Sequence, residues 1–172
     1  MTQNNRREFL KLSGLAAGAT FGAPAIVRGQ NLNSRLQIGC IGVAGKGKSD
    51  TLNTAKCGGK IVGLCDVDQK RLDPMAKTFP DAQKYSDFRE MLTKMGDQID
   101  GVTISTPDHV HGVAGIMAMQ MGKHIYCQKP LTQTVWESRM MRNLARDKKL
   151  ATQMGNQGSA ESGLRRSVEL IQ

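Results

Sequence analysis

Three sets of residues in this sequence have the types and spacing to act together chemically, and the first lies in Leu36–Ser49. A short apolar run (Leu36, Ile38, Cys40, Ile41) leads into Gly42, Ala44, Gly45 and Gly47, then into a polar segment of helical character. A strand, a glycine turn and a helix in that order present free backbone N–H groups and a positive helix end, so the stretch predicts a phosphate site. Two kinds of phosphate fit it. Gly42, Ala44 and Gly47 match the dinucleotide fingerprint with its middle glycine replaced, whereas Gly42, Gly47, Lys48 and Ser49 match the P-loop spacing letter for letter. In the first reading Gly42 makes the tight turn, Gly45 keeps the loop adaptable beside Ala44, and Gly47 lets the helix close on its strand. In the second, Lys48 contacts terminal phosphates and Ser49 holds magnesium, with Asp66 as a further metal anchor.

The second set is Asp66, which ends the apolar run Ile61–Cys65 and lies 24 residues after Gly42. An acid there accepts hydrogen bonds from ribose hydroxyls and repels a 2′-phosphate, which favours NAD over NADP. Lys46, Lys48, Lys70 and Arg71 lie close in sequence and work against that preference. The third set is Ser105-Thr106-Pro107-Asp108-His109-Val110-His111 together with Gln128-Lys129-Pro130, each following an apolar run. These positions fall at the carboxyl edge of the sheet, where open parallel sheets bind ligands. His109 and His111 alternate, but His124 is the only other histidine and no Cys or carboxylate stands at ligand spacing, so no metal site is expected.

Alternating elements must position these sets. Strands are predicted at the run from Leu36, at Lys60–Cys65, Lys84-Tyr85, Asp100–Thr106, His124–Cys127 and Leu150–Met154. Helices are predicted over Ser49–Lys56, Asp68–Phe79 with its regular part confined after Asp73 by Pro74, and Asp87–Met95 capped by Ser86. Further helices are predicted over Val110–Met121, over Val135–Lys148 behind a Thr134–Glu137 capping box, and over Glu161–Gln172. The alternation calls for a doubly wound α/β fold, a parallel sheet covered on both faces. Trp136 and the methionines at helical spacing read as core filling, and Arg142, Arg146, Lys148 and Lys149 as a solvated helix face. Cys40, Cys65 and Cys127 sit in short apolar runs and Cys57 precedes the Gly58-Gly59 turn, so they read as small core hydrophobes and not as a disulfide framework.

Taken together, the glycine turn, Asp66, Thr106-Pro107-x-x-x-His111 and Lys129-Pro130 resemble the N-terminal domain of the Gfo/Idh/MocA oxidoreductases. The likeness runs from Leu36 to about Gln172, and Gly155-Asn156-Gln157-Gly158 followed by a helix resembles family members of the exported kind. The resemblance implies a Rossmann domain, NAD or NADP as cofactor, and hydride transfer to or from a sugar or polyol. It maps the family's Glu-Lys-Pro motif onto Gln128, Lys129 and Pro130, with Lys129 as the catalytic residue reaching the nicotinamide and the substrate hydroxyl. Gln128 departs from the acid of that motif, and Thr106, Pro107 and His111 would line the path from adenosine to nicotinamide. The family's second α/β domain supplies most of the substrate pocket, the usual acid/base histidine and the oligomer interface, and none of it is in this sequence. Leu170-Ile171-Gln172 ends an amphipathic pattern in mid-stride, so the chain reads as a fragment whose oligomer formation depends on the missing domain. A non-catalytic nucleotide-binding fragment and a P-loop phosphotransferase are the other two readings.

Composition narrows the field. The 172 residues suffice for one domain, and 39% apolar with 23% charged residues excludes a low-complexity chain. The formal charge of +9 is spread over the whole chain and aromatics are 4%, so the stacking platforms of a nucleic-acid binder are lacking. Asn5-Arg6-Arg7-Glu8-Phe9-Leu10-Lys11 resembles the twin-arginine export signal, and Leu12–Ala23 is a weakly apolar run too short to span a bilayer stably. Ala23-Pro24-Ala25 offers a cleavage site of small residues. Residues 1–25 are thus read as a signal peptide, 26–34 as a linker, 35–155 as the NAD(P)-binding domain and 156–172 as the start of a connection onward. The mature protein is expected in the periplasm.

Overall fold

Short apolar strands separated by amphipathic helices bury both strand faces in one way, as a parallel sheet with helices on either side. The computed structural model, which describes residues 35–172, has that form, and the signal and linker read over residues 1–34 lie outside the described residues. The strands are β1 (Gln37–Ile41), β2 (Lys60–Cys65), β3 (Gln83–Tyr85), β4 (Gly101–Ile104), β5 (His124–Gln128) and β6 (Thr152–Gly155). They pair in the order β3-β2-β1-β4-β5-β6, every pair parallel. The helices are α1 (Lys46–Lys56), α2 (Gln69–Thr78), α3 (Phe88–Met95), α4 (Asp108–Gln120), α5 (Val135–Asp147), α6 (Gln157–Ala160) and α7 (Ser162–Ile171).

From β1 the chain winds outward to β2 and β3, then returns to β4 on the other side of β1. Right-handed crossovers therefore put α1 and α2 on one face and α4 and α5 on the other, and the winding reverses between β1 and β4. Two cores follow. One joins Cys40, Val43, Ile61, Leu64, Leu72 and Met75 beneath α1 and α2. The other joins Ile41, Val62, Met91, Val102, Met119 and Met141 beneath α3, α4 and α5. Met75, Met91, Met95, Met119 and Met141 fill the core as expected. Trp136 does not: it is 65% exposed. At 3.6 residues per turn it lies about 140° around α5 from Met141, the residue that α5 buries.

Several boundaries differ from the sequence expectation, each for a local reason. α2 starts at Gln69 and runs through Pro74, because the Asp68 side chain caps Lys70 N–H at 2.9 Å and the proline ring faces solvent. Asp87, not Ser86, caps α3, accepting from Arg89 N–H at 2.8 Å. α4 begins at Asp108 behind Pro107, whose fixed φ of −58° suits a helix entry, and this shortens β4 to Ile104. β6 starts at Thr152 because Lys149 takes a left-handed φ of 55° and Leu150 N–H still bonds back to Ala145 O. The terminal helix is α7, one residue inside each expected end, and the loop before it contains the short α6, with extended Glu161 between them.

The capping box is present as predicted. Thr134 Oγ1 accepts from Glu137 N–H at 3.2 Å and Glu137 Oε2 accepts from Thr134 N–H at 3.0 Å. Glu137 also packs against α4, where a Cβ at Gly112 would stand 2.6 Å from its carboxyl carbon. Thr134→Ala is expected to cost about 1 kcal/mol, a fall of roughly 2–5 °C in melting temperature followed by circular dichroism.

Candidate nucleotide-binding site

β1 ends at Ile41, and the backbone turns within Gly42–Gly45 before α1 starts at Lys46. Gly42 (φ 78°) and Gly45 (φ 51°) hold left-handed conformations that a side chain would strain. A Cβ at Gly42 would lie 2.7 Å from Ser105 O, and one at Gly47 would collide with Gly42 O. α1 thus packs against β1 and β4 as closely as backbone can approach backbone. Its N-cap is Gly45, no side chain among the described residues caps it, and no acid occupies its first turn, which leaves its leading N–H groups for an external anion.

This geometry decides between the two motifs. A P-loop needs an open loop that cradles phosphates between Gly42 and Gly47, but here Gly47 packs directly on Gly42 O, so that space is closed. Lys48 is exposed on that helix, and Ser49 Oγ donates to Lys46 O at 2.8 Å. Lys48 and Ser49 are ordinary helix residues, and the turn is of the dinucleotide type.

Asp66 follows β2 directly. Its Oδ2 accepts from Val43 N–H at 3.1 Å and its Oδ1 from Asp68 N–H at 3.1 Å, so the carboxylate joins the glycine turn to the start of α2. A carboxylate has about four acceptor positions, and two are used in this way. Arg71 Nε reaches Asp68 Oδ2 at 3.2 Å on the same rim. Between these residues and the end of β4 lies a groove of about 490 Å³, lined by Gly42, Ala44, Asp66, Arg71, Thr106 and Pro107 among others. Thr106 Oγ1 is buried there without a hydrogen-bond partner among the described residues. A dinucleotide suits this set of groups: an uncapped helix start, an acid for a ribose, an orphaned hydroxyl, and a cradle that a Cβ at 42 or 47 would fill.

His111 does not line the groove. Its ring is fully buried, with Nε2 2.8 Å from Thr106 O and Nδ1 2.7 Å from Pro130 O. Carbonyl oxygens only accept, so the neutral ring donates to one of them and the doubly protonated ring to both. His111 braces the two edge loops from behind. It points away from His109, which is exposed at the groove. At the end of β5 the three motif residues part company: Gln128 is buried, whereas Lys129 and Pro130 are exposed.

Asp50 escaped the sequence reading. α1 buries only Gly47, Asp50 and Thr51, and the Asp50 side chain is 6% exposed. Its Oδ2 accepts from Ser105 Oγ and from Gln128 Nε2, both at 2.8 Å, and its Oδ1 pairs with Lys46 Nζ at 3.1 Å. The available signal was an acid three residues after Gly47, on the face that Gly47 turns to the sheet.

Fold and turn define a dinucleotide-binding Rossmann domain. Residues 36–156 match the family described as an oxidoreductase family with an NAD-binding Rossmann fold, Gfo/Idh/MocA, and the chain belongs to that family. Glucose-6-phosphate 3-dehydrogenase of Bacillus subtilis (strain 168) is 26% identical over 121 residues, which are 69% of this chain and 33% of that protein. A glycosyl hydrolase family 109 protein of Solibacter usitatus is 34% identical over 158 residues, covering 80% of this chain and 36% of its own length. The crystal structure of myo-inositol 2-dehydrogenase from Lactobacillus plantarum shares the fold, with a TM-score of 0.72 at 21% identity over 80% of this chain and 41% of that one. The chain therefore spans between 33% and 41% of the length of these relatives.

The thiols beside the site are held protonated. Burial, with some help from the Asp66 and Asp87 charges, pushes Cys65 up to about 12, and burial pushes Cys127 up to about 12. Burial likewise raises Cys40, while Cys57 is exposed. A thiol reagent at pH 8 is expected to modify Cys57 alone in the native protein and all four cysteines in urea, as counted by mass spectrometry. The unfolded thiols ionise near 9, so the stabilisation from Cys65 and Cys127 is complete below pH 9 and is lost as pH rises from 9 towards 12. Melting temperature is expected to decline over that interval, and replacing Cys127 with Ala to flatten the decline.

Proposed function

We propose that this chain is the NAD(P)-binding part of a dehydrogenase that moves hydride between the nicotinamide and a carbinol carbon of a sugar or polyol. The observation that carries the reading is the closed Gly42–Gly47 turn, which leaves the uncapped start of α1 facing the groove at the point where the winding reverses. The pyrophosphate lies over Gly42, Ala44, Gly45 and Gly47, with one ribose on Asp66 and the path to the nicotinamide passing Thr106 and Pro107. Gln128, Lys129 and Pro130 form the nicotinamide end, where Lys129 takes up or returns the hydroxyl proton. Hydride chemistry belongs to the cofactor; these residues bind it, orient it and move that proton. The named activities of glucose-6-phosphate 3-dehydrogenase and inositol 2-dehydrogenase among the relatives support a polyhydroxylated substrate. Asp66 favours NAD, since an acid at the ribose repels a 2′-phosphate, and Arg71 is already paired with Asp68. The rest of the substrate pocket and any oligomer interface are assigned to sequence beyond these residues, and the Arg6-Arg7 segment to export into the periplasm.

Titration with NADH, NADPH and Mg-ATP tests the site. NADH fluorescence is expected to increase on binding, and Asp66→Ala to weaken NADH by about tenfold more than NADPH, equivalent to roughly 1.4 kcal/mol. Binding of Mg-ATP with no response to either dinucleotide would reverse the assignment to the phosphotransferase reading. The isolated chain is expected to bind without turning over, and steady reduction of NAD by it with a sugar would overturn that part. For export, changing Arg6 and Arg7 to Lys together is expected to retain a reporter fusion in the cytoplasm. Undiminished periplasmic reporter would remove the twin-arginine assignment.

A further inference from the structure

The carboxylate of Asp50 connects three elements through its side-chain hydrogen bonds and ion pair. Asp50 belongs to α1, the helix that follows the glycine turn; Ser105 follows β4; Gln128 ends β5. Strand alternation puts Thr103 and Ser105 of one strand end, and Tyr126 and Gln128 of the other, on the face that α1 covers. Asp50 projects onto that face. There Oδ2 takes hydrogen bonds from Ser105 Oγ and Gln128 Nε2 at 2.8 Å each, and Oδ1 faces Lys46 Nζ at 3.1 Å. Gln128 is 5% exposed and is backed by Gly155 of β6, where a Cβ would stand 2.7 Å from its carboxamide. The carboxamide is thus gripped between a buried carboxylate and a neighbouring backbone.

A buried carboxylate must be paired, and each of its bonds is stronger than a neutral one because the acceptor is charged. Such a group holds its donors in one arrangement. Gln128 is joined directly to Lys129, which is exposed at the same sheet edge. We propose that Asp50 is a positioning residue for Lys129: by fixing the Gln128 carboxamide against α1, it sets where the Lys129–Pro130 turn stands relative to the phosphate turn. The proposal rests on the dinucleotide reading for its functional meaning, although the linkage itself is a property of the free chain. It also explains the residue type at position 128. Glutamate there would set two buried carboxylates against each other, whereas an amide donates to the one already present.

Two measurements on the 172-residue chain test this. In hydrogen exchange followed by mass spectrometry, without cofactor, Asp50→Ala is expected to raise exchange about tenfold in the peptide spanning Gln128–Leu131 and to leave peptides from β2 and α3 unchanged. A uniform rise through the domain, or no rise, would overturn the proposal. In NADH titration, Asp50→Ala and Gln128→Glu are each expected to weaken binding about tenfold, and Asp50→Asn combined with Gln128→Glu to return within about threefold of the parent, because the amide and carboxylate exchange roles. A double variant no tighter than Gln128→Glu alone would refute the linkage, since a merely structural role predicts no such rescue of affinity. If the parent chain binds neither dinucleotide, the cofactor reading fails while the exchange result still decides the linkage. If the parent binds and all variants bind equally, the cofactor reading stands and Asp50 is not a positioning residue.

Discussion

The contact on which the rest of this structure depends is backbone against backbone: Gly47 of α1 resting on the carbonyl of Gly42, with Gly42 resting on Ser105. Neither position has room for a methyl group. Because α1 lies so close, its first turn stands at the end of β1, and the reversal of winding between β1 and β4 opens the groove beside it. The dipole and free N–H groups of a helix start attract anions only within about a turn, so an ångström of separation here would weaken the site. Asp66 closes the other side of the turn by accepting Val43 N–H, and so the phosphate loop is held from β2 as well as from β4.

The two faces of the sheet are built on different terms. Beneath α3, α4 and α5 the core is apolar, with methionines filling irregular gaps. Beneath α1 it is partly polar: Asp50 and Thr51 face Cys40, Thr103, Ser105 and Gln128, and Thr51 Oγ1 returns a hydrogen bond to Gly47 O at 2.8 Å. An apolar contact fixes distance but tolerates sliding, while a charged acceptor with directional donors fixes relative orientation too. That difference suits a helix whose first turn must point at a ligand. On the opposite face, His111 does comparable work, its buried ring standing within hydrogen-bond distance of both Thr106 O and Pro130 O. The loops after β4 and β5 are thus anchored twice, from α1 and from α4.

Much of this was legible in the sequence because the signals are local. The glycine turn, the Thr134–Glu137 box and the order of strands and helices depend on residues a few positions apart, and all are present. Boundaries moved by a few residues where two local signals competed, as with Ser86 against Asp87 for the cap of α3, and most at α2, which starts at Gln69 in spite of Pro74. Trp136 was misread because apolar character predicts burial only when the residue lies on the inward stripe, and Met141 sets that stripe. The family resemblance put His111 with Thr106 and Pro107 on the path to the nicotinamide. Its ring lies on the α4 face directed into the protein, a direction that spacing alone does not reveal.

The sequence by itself determined an α/β chain with a phosphate-binding glycine turn, and its Gly42, Gly47, Asp66, Thr106-Pro107 and Lys129-Pro130 carried the family resemblance, while the P-loop spacing stayed open. Only the tertiary structure decided what those residues contact. It made Lys48 and Ser49 ordinary helix residues, and it left the Thr106 hydroxyl buried without a partner among the described residues. It also brought Asp50 to Gln128 across 78 positions of sequence. Periodicity and spacing encode the face on which a residue lies. Which group waits opposite that face is set by the order of strands in the sheet.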